Sequence, residues 1–304
     1  MLRDLFSRKP AAAAAAPAAP PTLLATPTPD APPATEAPAA PPQPAGILDA
    51  YLHTAPTDQS ALDLFKGEWA SRFPPPFNTL EAGGVPLFQD TRITWALDLL
   101  GGVQGQSVLE LGPLEGGHSY MMEKAGAASV IAIEANTRAY LKCLIAKEIL
   151  DLKRVKFLCG DFMPYLEQTD QQFDLLIAAG VLYHMKDPVR MLQLVGSHTR
   201  RTHIWTHYYD AALLATQPNL SQRFTSPVET VEVNGVPVQL HRQNYMESLA
   251  SKTYCGGGQE YSVWLTRDGL LSTLRAVGFT KIETGFDQPD HPHGPAIALV
   301  ASKA

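Results

Sequence analysis

Residues 107–119 read SVLELGPLEGGHS: a short apolar run interrupted by one acid, a glycine-rich turn, and the polar opening of a helix. The run SVLEL is too short for a stable helix and suits a buried strand ending before Gly112. Gly112 opens a tight turn, and Gly116 with Gly117 is expected to let a ligand approach the backbone where the next helix begins. Strand, glycine turn and helix in this order form the first half of a βαβ unit. A GxGxxG fingerprint would need glycine where Leu114 stands, because a pyrophosphate rests on bare backbone there, and this counts against a dinucleotide.

The same rhythm continues on the carboxyl side. SVIAIE (129–134) is a second strand followed by a helix over about 137–150; VKFLCGD (155–161), FDLLIAAG (173–180) and HIWTHYY (203–209) are further strands, with a helix from Pro188 between the last two. Buried runs separated by helices predict a mostly parallel sheet covered on both faces, a doubly wound Rossmann-like α/β fold. Between about 211 and 263 the rhythm breaks at VETVEVNGVPVQLH (228–241), where Asn234 and Gly235 predict a type I′ hairpin. An insertion there would hang over the carboxyl edge of the sheet, where open α/β folds bind ligands. A helix capped by Thr266, a strand near 280–285 and the run AIALVAS (296–302) complete the sheet, and the HPHGP loop at 291–295 predicts an antiparallel last strand. Upstream, Asp58 or Ser60 is expected to cap a helix carrying Leu62, Phe65 and Trp69 and ended by PPPF at 74–77. A second helix from Asp90 puts Ile93, Ala96, Leu97 and Leu100 on one face and stops at Gly101 and Gly102.

Three segments follow from this reading: an Ala/Pro-rich tether over 1–46, a helical segment over 47–100, and the main domain over 101–304 with a cap insertion at about 211–263. The tether is too poor in large apolar side chains to offset its ordering entropy, is expected to be disordered, and would suit attachment to a protein partner. MLRDLFSRK at the start is read as a frayed end or, through Leu2, Leu5 and Phe6 among basic residues, as a short amphipathic docking turn, and the Pro and Ala that follow it leave no apolar run of signal-peptide or membrane-span length. Three cysteines without a CxxC pair indicate neither a disulfide framework nor a zinc site, so a cytoplasmic setting is expected. The formal net charge of −6 gives no global footprint for nucleic acid, and Lys153, Arg154 and Lys156 read as a solvated edge.

The acids occupy strand ends. Glu110 closes the first strand, Glu134 closes the second where a carboxylate accepts ribose hydroxyls, and Asp161 in GDF follows the third, placed to accept from an adenine amino group with Phe162 available to stack. Ala179, Gly180 and Val181 end the fourth strand with small side chains that leave room for a sulfonium and an incoming acceptor. LELGPLEGG, IAIEAN, GDF and AAGVLYHMKDP together resemble, in order and spacing, the cofactor motifs of class I S-adenosylmethionine-dependent methyltransferases. That resemblance implies S-adenosylmethionine as cofactor. Gly112 and Gly116 would line its methionine end, Glu110 would lie near its amino group, Glu134 would bind the ribose, and Asp161 with Phe162 would hold the adenine. Pro113, Ala135, Ala179 and Gly180 would complete the cofactor site. The layout of GVLYH, a late helix and a closing strand is also similar to the tRNA wobble-uridine carboxymethyltransferase family, which would make Tyr183 a contact for a carboxylated donor.

A sulfonium leaves readily, so the protein's work is alignment and removal of the acceptor's proton. His184, past the fourth strand, and His207, at the end of the fifth, are the candidate bases, each also readable as a locally hydrogen-bonded histidine that shapes the pocket. Tyr183 joins them as a catalytic candidate, and Tyr208, Tyr209 and Asp210 are candidate pocket residues. His203, His207 and Asp210 are read as no metal site, since His207 and Asp210 point to opposite faces of a strand. His291 and His293 are expected on the surface, CGGGQEYSVW (255–264) as a lid hinge, and Tyr254, Tyr261 and Trp264 as cover for an acceptor pocket. No NPPY-type motif stands at 178–181, which argues against methylation of a nucleobase amino group. The expected acceptor is a small organic or sugar-like molecule; tRNA, a non-catalytic nucleoside-binding domain and an NAD-dependent oxidoreductase are the rival readings.

Overall fold

The structure, a computed structural model, describes residues 51–246 and 258–304. The tether over 1–46, together with Tyr254 and Cys255, lies outside the described residues. Thr57–Ala304 forms one compact unit. Of the preceding unit, Met1–Pro56, residues 51–56 are described and are exposed without helix or strand.

Seven strands make the central sheet: β1 (Ser107–Leu111), β2 (Ser129–Glu134), β3 (Val155–Cys159), β4 (Leu175–Ala179), β5 (Arg201–His207), β9 (Lys281–Gln288) and β10 (Ala296–Ser302). Their order is β3-β2-β1-β4-β5-β10-β9, parallel from β3 to β5, with β10 antiparallel to both neighbours. Alternation along each strand splits the core in two. Leu109, Leu111, Leu176, Ala178 and Ile204 face α5 (Phe162–Gln168), α6 (Pro188–His198) and α9 (Arg267–Ala276). Val108, Val130, Ala132, Leu175 and Ile177 face α1 (Asp58–Asp63), α2 (Thr91–Leu100), α3 (Gly117–Lys124) and α4 (Thr137–Ile149). Helices on both faces of a mostly parallel sheet are the doubly wound arrangement expected from the sequence.

The helix signals act as read at several places. Asp90 accepts from the Arg92 amide at 2.9 Å to cap α2, which Gly101 ends at φ 73°. Asp187 caps α6 with Pro188 in its first turn, and Thr266 caps α9. The first helix differs: Thr57 rather than Asp58 or Ser60 caps it, and it ends at Asp63. Gly67 sits at φ 80°, and Trp69 reaches back to donate its indole N–H to the Leu62 carbonyl at 2.9 Å. The apolar spacing therefore continues through turns.

After α7 (Ala211–Ala215) and α8 (Pro218–Ser221), β6 (Glu229–Val233) and β7 (Val236–Asn244) form the expected hairpin, with Asn234 at φ 49° and Gly235 at φ 82°. A third strand, β8 (Tyr261–Leu265), pairs antiparallel with β7. Most of the described part of the stretch expected to be a hinge is thus strand, and the described part of the insertion carries a three-stranded sheet beside the carboxyl ends of β4 and β5. Among the described residues, no helix is long and apolar enough to cross a membrane.

Candidate functional site

The turn after β1 is held from below. Gly112 lies at φ 62°, and a Cβ there would meet Val181 Cγ2 at 2.9 Å. Gly116, at φ 79°, packs where a Cβ would meet the Phe157 ring at 2.8 Å, and a Cβ on Gly117 would meet the Leu87 carbonyl at 2.7 Å. The double glycine therefore lets the helix start pack against the sheet and the N-terminal segment. Leu114 takes φ 56°, donates its amide to Glu134 Oε2 at 3.0 Å and accepts from Cys143 Sγ at 3.5 Å. Glu115 is fully buried; its carboxylate accepts from the Ala70 and Ser71 amides at 2.9 and 2.7 Å and pairs with Lys142 Nζ at 2.6 Å.

Glu110 is 1 % exposed and both its oxygens meet protein groups: Oε2 accepts from Ser119 Oγ, and Oε1 lies 3.5 Å from His118 Nδ1. His118 Nε2 is 3.0 Å from Asp90 Oδ2, and Arg92 grips Asp90 through Nε and Nη2 at 2.6–3.1 Å. Burial alone would lower the His118 pKa, but hydrogen bonds and charge from Asp90 and Glu110 outweigh it and push it up to about 9. His118 and Arg92 hold the Asp90 carboxyl well below the usual carboxylate range despite its burial. This ionic set escaped sequence reasoning because Asp90 and His118 are 28 residues apart and meet only when the segment ahead of α2 packs on α3.

Glu134 is 8 % exposed, and burial raises its pKa against the opposing amides of Asn136 and Leu114. Those amides, at 2.8 and 3.0 Å, each occupy one oxygen and leave further lone pairs for a ligand. Asp161 is exposed and accepts from the Met163 amide at 2.8 Å as the cap of α5, whereas Phe162 belongs to the core cluster. Pro113 is buried under the turn and Ala135 is exposed beside Glu134. Around Gly180, at φ 88°, the nearest groups to an added Cβ are Trp205 and the Tyr183 hydroxyl at 3.9 Å, so this glycine leaves space where Gly112, Gly116 and Gly117 do not.

Beside that space stands a wall of rings. Tyr183 lies 4.6 Å from His207, His207 stacks on Trp264 at 5.3 Å, and His291 lies 5.0 Å from His207 and 5.9 Å from Trp205. His291 is therefore a half-buried member of the wall, which corrects its expected surface position; His293 is exposed. Tyr261 points elsewhere, under Arg242 at 3.7 Å and Lys186 at 4.5 Å. Tyr208 is buried and donates to Asp287 at 3.3 Å, Tyr209 stacks on His241 at 3.6 Å, and Asp210 caps α7.

His207 donates Nδ1–H to the Gly294 carbonyl at 2.8 Å, which leaves Nε2 with the lone pair. Its pKa falls to about 3 through burial and then the charge of His291. His184 Nδ1 is 2.6 Å from the Tyr245 hydroxyl, and burial lowers its pKa to about 4. Both imidazoles are neutral at physiological pH. His203 donates to the Leu299 carbonyl at 3.1 Å.

Residues 103–252, just under half of the chain, match a family model described as a methyltransferase domain. The tRNA U34 carboxymethyltransferase of Alcanivorax borkumensis is 30 % identical over 119 residues, 38 % of this chain and 37 % of that protein. The enzyme of the same description from Campylobacter hominis is 30 % identical over 95 residues, 31 % of this chain and 33 % of that protein. The chain thus matches about a third of the length of these relatives. Among solved structures, the N-terminal domain of EvdMO1, crystallised with SAH and D-fucose, superimposes with a TM-score of 0.59 at 21 % identity, covering 81 % of this chain and 95 % of that one. That likeness is one of fold. With the motifs on β1 to β4 standing at the carboxyl edge of that fold, residues 103–252 form a class I, S-adenosylmethionine-dependent methyltransferase domain.

Proposed function

We propose that the chain is a cytoplasmic enzyme that transfers the methyl group of S-adenosylmethionine to a small organic or sugar-like acceptor. The observation that carries this reading is the ring wall of Tyr183, Trp205, His207, Trp264 and His291 beside Gly180, on the sheet edge where the donor's sulfonium would point. Aromatic faces supply apolar contact to the CH faces of a small ring, and imidazoles supply a few directed hydrogen bonds.

In this reading Glu134 takes the ribose hydroxyls and Asp161 the adenine amino group. Gly112, Pro113, Gly116, Ala135, Ala179 and Gly180 shape the path of the donor, with Phe162 supporting the adenine from the core side. Glu110 acts through His118 and Ser119. The insertion over 211–263 caps the acceptor, whose nucleophile is aligned in line with the methyl group. A neutral His207, with its Nδ1 proton held by Gly294, offers Nε2 to the acceptor's proton. His184 and Tyr183 position the acceptor beside it.

The test is a screen of metabolite, glycan and RNA fractions with methyl-labelled donor, paired with calorimetry using S-adenosylhomocysteine. Label in a small-molecule or glycan fraction supports the reading; S-adenosylhomocysteine bound with no label anywhere leaves a nucleoside-binding domain instead. Alanine at His184 and at His207, each with turnover unchanged at saturating acceptor, would remove both from the reaction. The local similarity to tRNA U34 carboxymethyltransferases, with Tyr183 in GVLYH, supports a second reading: label in RNA from a carboxylated donor, with salt-sensitive binding.

A further inference from the structure

We propose that His291 is a second catalytic residue beside His207, and that the two imidazoles, held as opposite tautomers, select a hydroxyl group as the methyl acceptor, so that the methyl goes to oxygen; this rests on the methyl-transfer reading above. Both rings take their tautomer from one short loop between β9 and β10. The Gly294 carbonyl accepts Nδ1–H of His207 at 2.8 Å, so that neutral ring keeps its lone pair on Nε2. The His293 amide donates to Nδ1 of His291 at 3.2 Å, so that neutral ring carries its proton on Nε2. Burial comes first in lowering the two pKa values, to about 3 for His207 and about 4 for His291, and keeps both rings uncharged at physiological pH.

The loop is packed to hold this arrangement. Gly294 sits at φ 105°, and a Cβ there would meet Leu220 and the Trp264 ring at 2.9 Å. Trp264 in turn stacks on His207 at 5.3 Å and is fixed by its indole N–H on the Tyr183 carbonyl at 3.1 Å. The ring centres of His207 and His291 are 5.0 Å apart, close enough for one oxygen to lie at hydrogen-bond distance from both. Neither Nε2 has a protein partner among the described residues, and neither is sealed from water.

A hydroxyl matches this pair in full. It has one proton for His207, one lone pair for the Nε2–H of His291, and a second lone pair for the donor's methyl carbon. As the O–C bond forms, the C–S bond breaks and its electron pair stays on sulfur, giving S-adenosylhomocysteine. The hydroxyl proton passes to Nε2 of His207, while His291 keeps its own proton and donates it in a hydrogen bond to the charge that develops on oxygen. An ammonium group has no lone pair for His291. A carboxylate has no proton for His207 and would turn a negative charge toward its lone pair.

The experiment uses the full chain with methyl-labelled donor and a metabolite and glycan extract, and the bond to the labelled methyl in the product is read by NMR. An ether methyl is expected. A methyl on nitrogen, sulfur or carbon, or a base-labile methyl ester, overturns the proposal and leaves methyl transfer in place. No labelled product, with S-adenosylhomocysteine bound in calorimetry, overturns the methyl-transfer reading and this proposal together. Proton–nitrogen NMR of the histidine rings, on the unmodified protein with S-adenosylhomocysteine bound, should show the proton on Nδ1 at His207 and on Nε2 at His291; the same tautomer at both overturns the proposal. His291→Phe keeps a ring in the wall without an N–H and should lower kcat for the labelled acceptor by about 10- to 100-fold, with S-adenosylhomocysteine affinity near that of the wild type. His291→Gln, which supplies an N–H, should recover part of the loss. Full kcat in His291→Phe, or a loss of S-adenosylhomocysteine affinity that matches the loss of kcat, takes His291 out of the reaction and overturns the proposal.

Discussion

At Leu114 the backbone sits at φ 56°, a region that a leucine enters at a cost of about 1–2 kcal/mol. The turn imposes it: the Leu114 amide must face Glu134 Oε2 and its carbonyl must face Cys143. Glycine would relieve the strain but enlarge the entropy of the unfolded chain, so Leu114→Gly should fall within about 1 kcal/mol of the wild type in urea unfolding. Leu114→Val, with a branched Cβ in the same geometry, should lose about 1–2 kcal/mol. Equal effects from both would mean that side-chain contacts, not φ, decide this position. Glu134 gives a functional test at the same scale. If its remaining lone pairs accept two ribose hydroxyls, Glu134→Gln should weaken S-adenosylhomocysteine binding about tenfold or more in calorimetry, because hydrogen bonds to a charged acceptor contribute about 1.5–3 kcal/mol. Unchanged affinity would take Glu134 out of the cofactor site.

Among the elements, the segment before β1 is joined to the glycine turn after β1 through Glu115, whose carboxylate faces two amides and Lys142 with no exposure to water. Glu115→Ala leaves the Lys142 ammonium buried without its counter-charge and should cost about 3–5 kcal/mol in urea unfolding. Lys142→Met should cost less, since Glu115 keeps the Ala70 and Ser71 amides. Equal losses would show that the amides contribute little. Elements such as this joint were the hardest to read from sequence. Strands 107–111, 129–134 and 296–302 were legible to the residue, because each is an apolar run bounded by turn residues, and the Asn234-Gly235 turn carries its own dihedral signature. β8 was hidden: its partner β7 lies across a glycine-rich stretch, and a strand made by long-range pairing leaves a weak local pattern. The ring wall and the Asp90–His118–Glu110 set were hidden for the same reason. Their members come from β1, β5, β8, α3, the α2 cap and two loops, and no spacing within one element announces them.

For the molecule as a whole, the buried histidines set opposing limits on stability with pH. His118 has its folded pKa raised to about 9 from 6.5, so it binds its proton more tightly when folded. Its contribution is complete below about pH 6.5 and is lost as the pH rises through about 9. His184, His203, His207 and His291 are lowered to about 4, 3, 3 and 4, in each case first by burial. They remain neutral in the folded chain while the unfolded chain takes up protons below about 6.5, so stability falls as the pH drops from there toward their folded values. Each unmatched proton contributes a slope of up to about 1.4 kcal/mol per pH unit. Several histidines act on the acid side and one on the alkaline side, so stability should peak near neutrality and fall more steeply toward acid. Melting temperatures between pH 5 and 9.5 would show this asymmetry. His118→Gln should flatten the alkaline limb between about pH 7 and 9 while leaving most of the acid limb in place, since burial comes first in lowering each of its members and the charge of His118 adds only to the shift of His203. An alkaline limb that survives this substitution would mean that Asp90 and Glu110 do not hold His118 as an imidazolium.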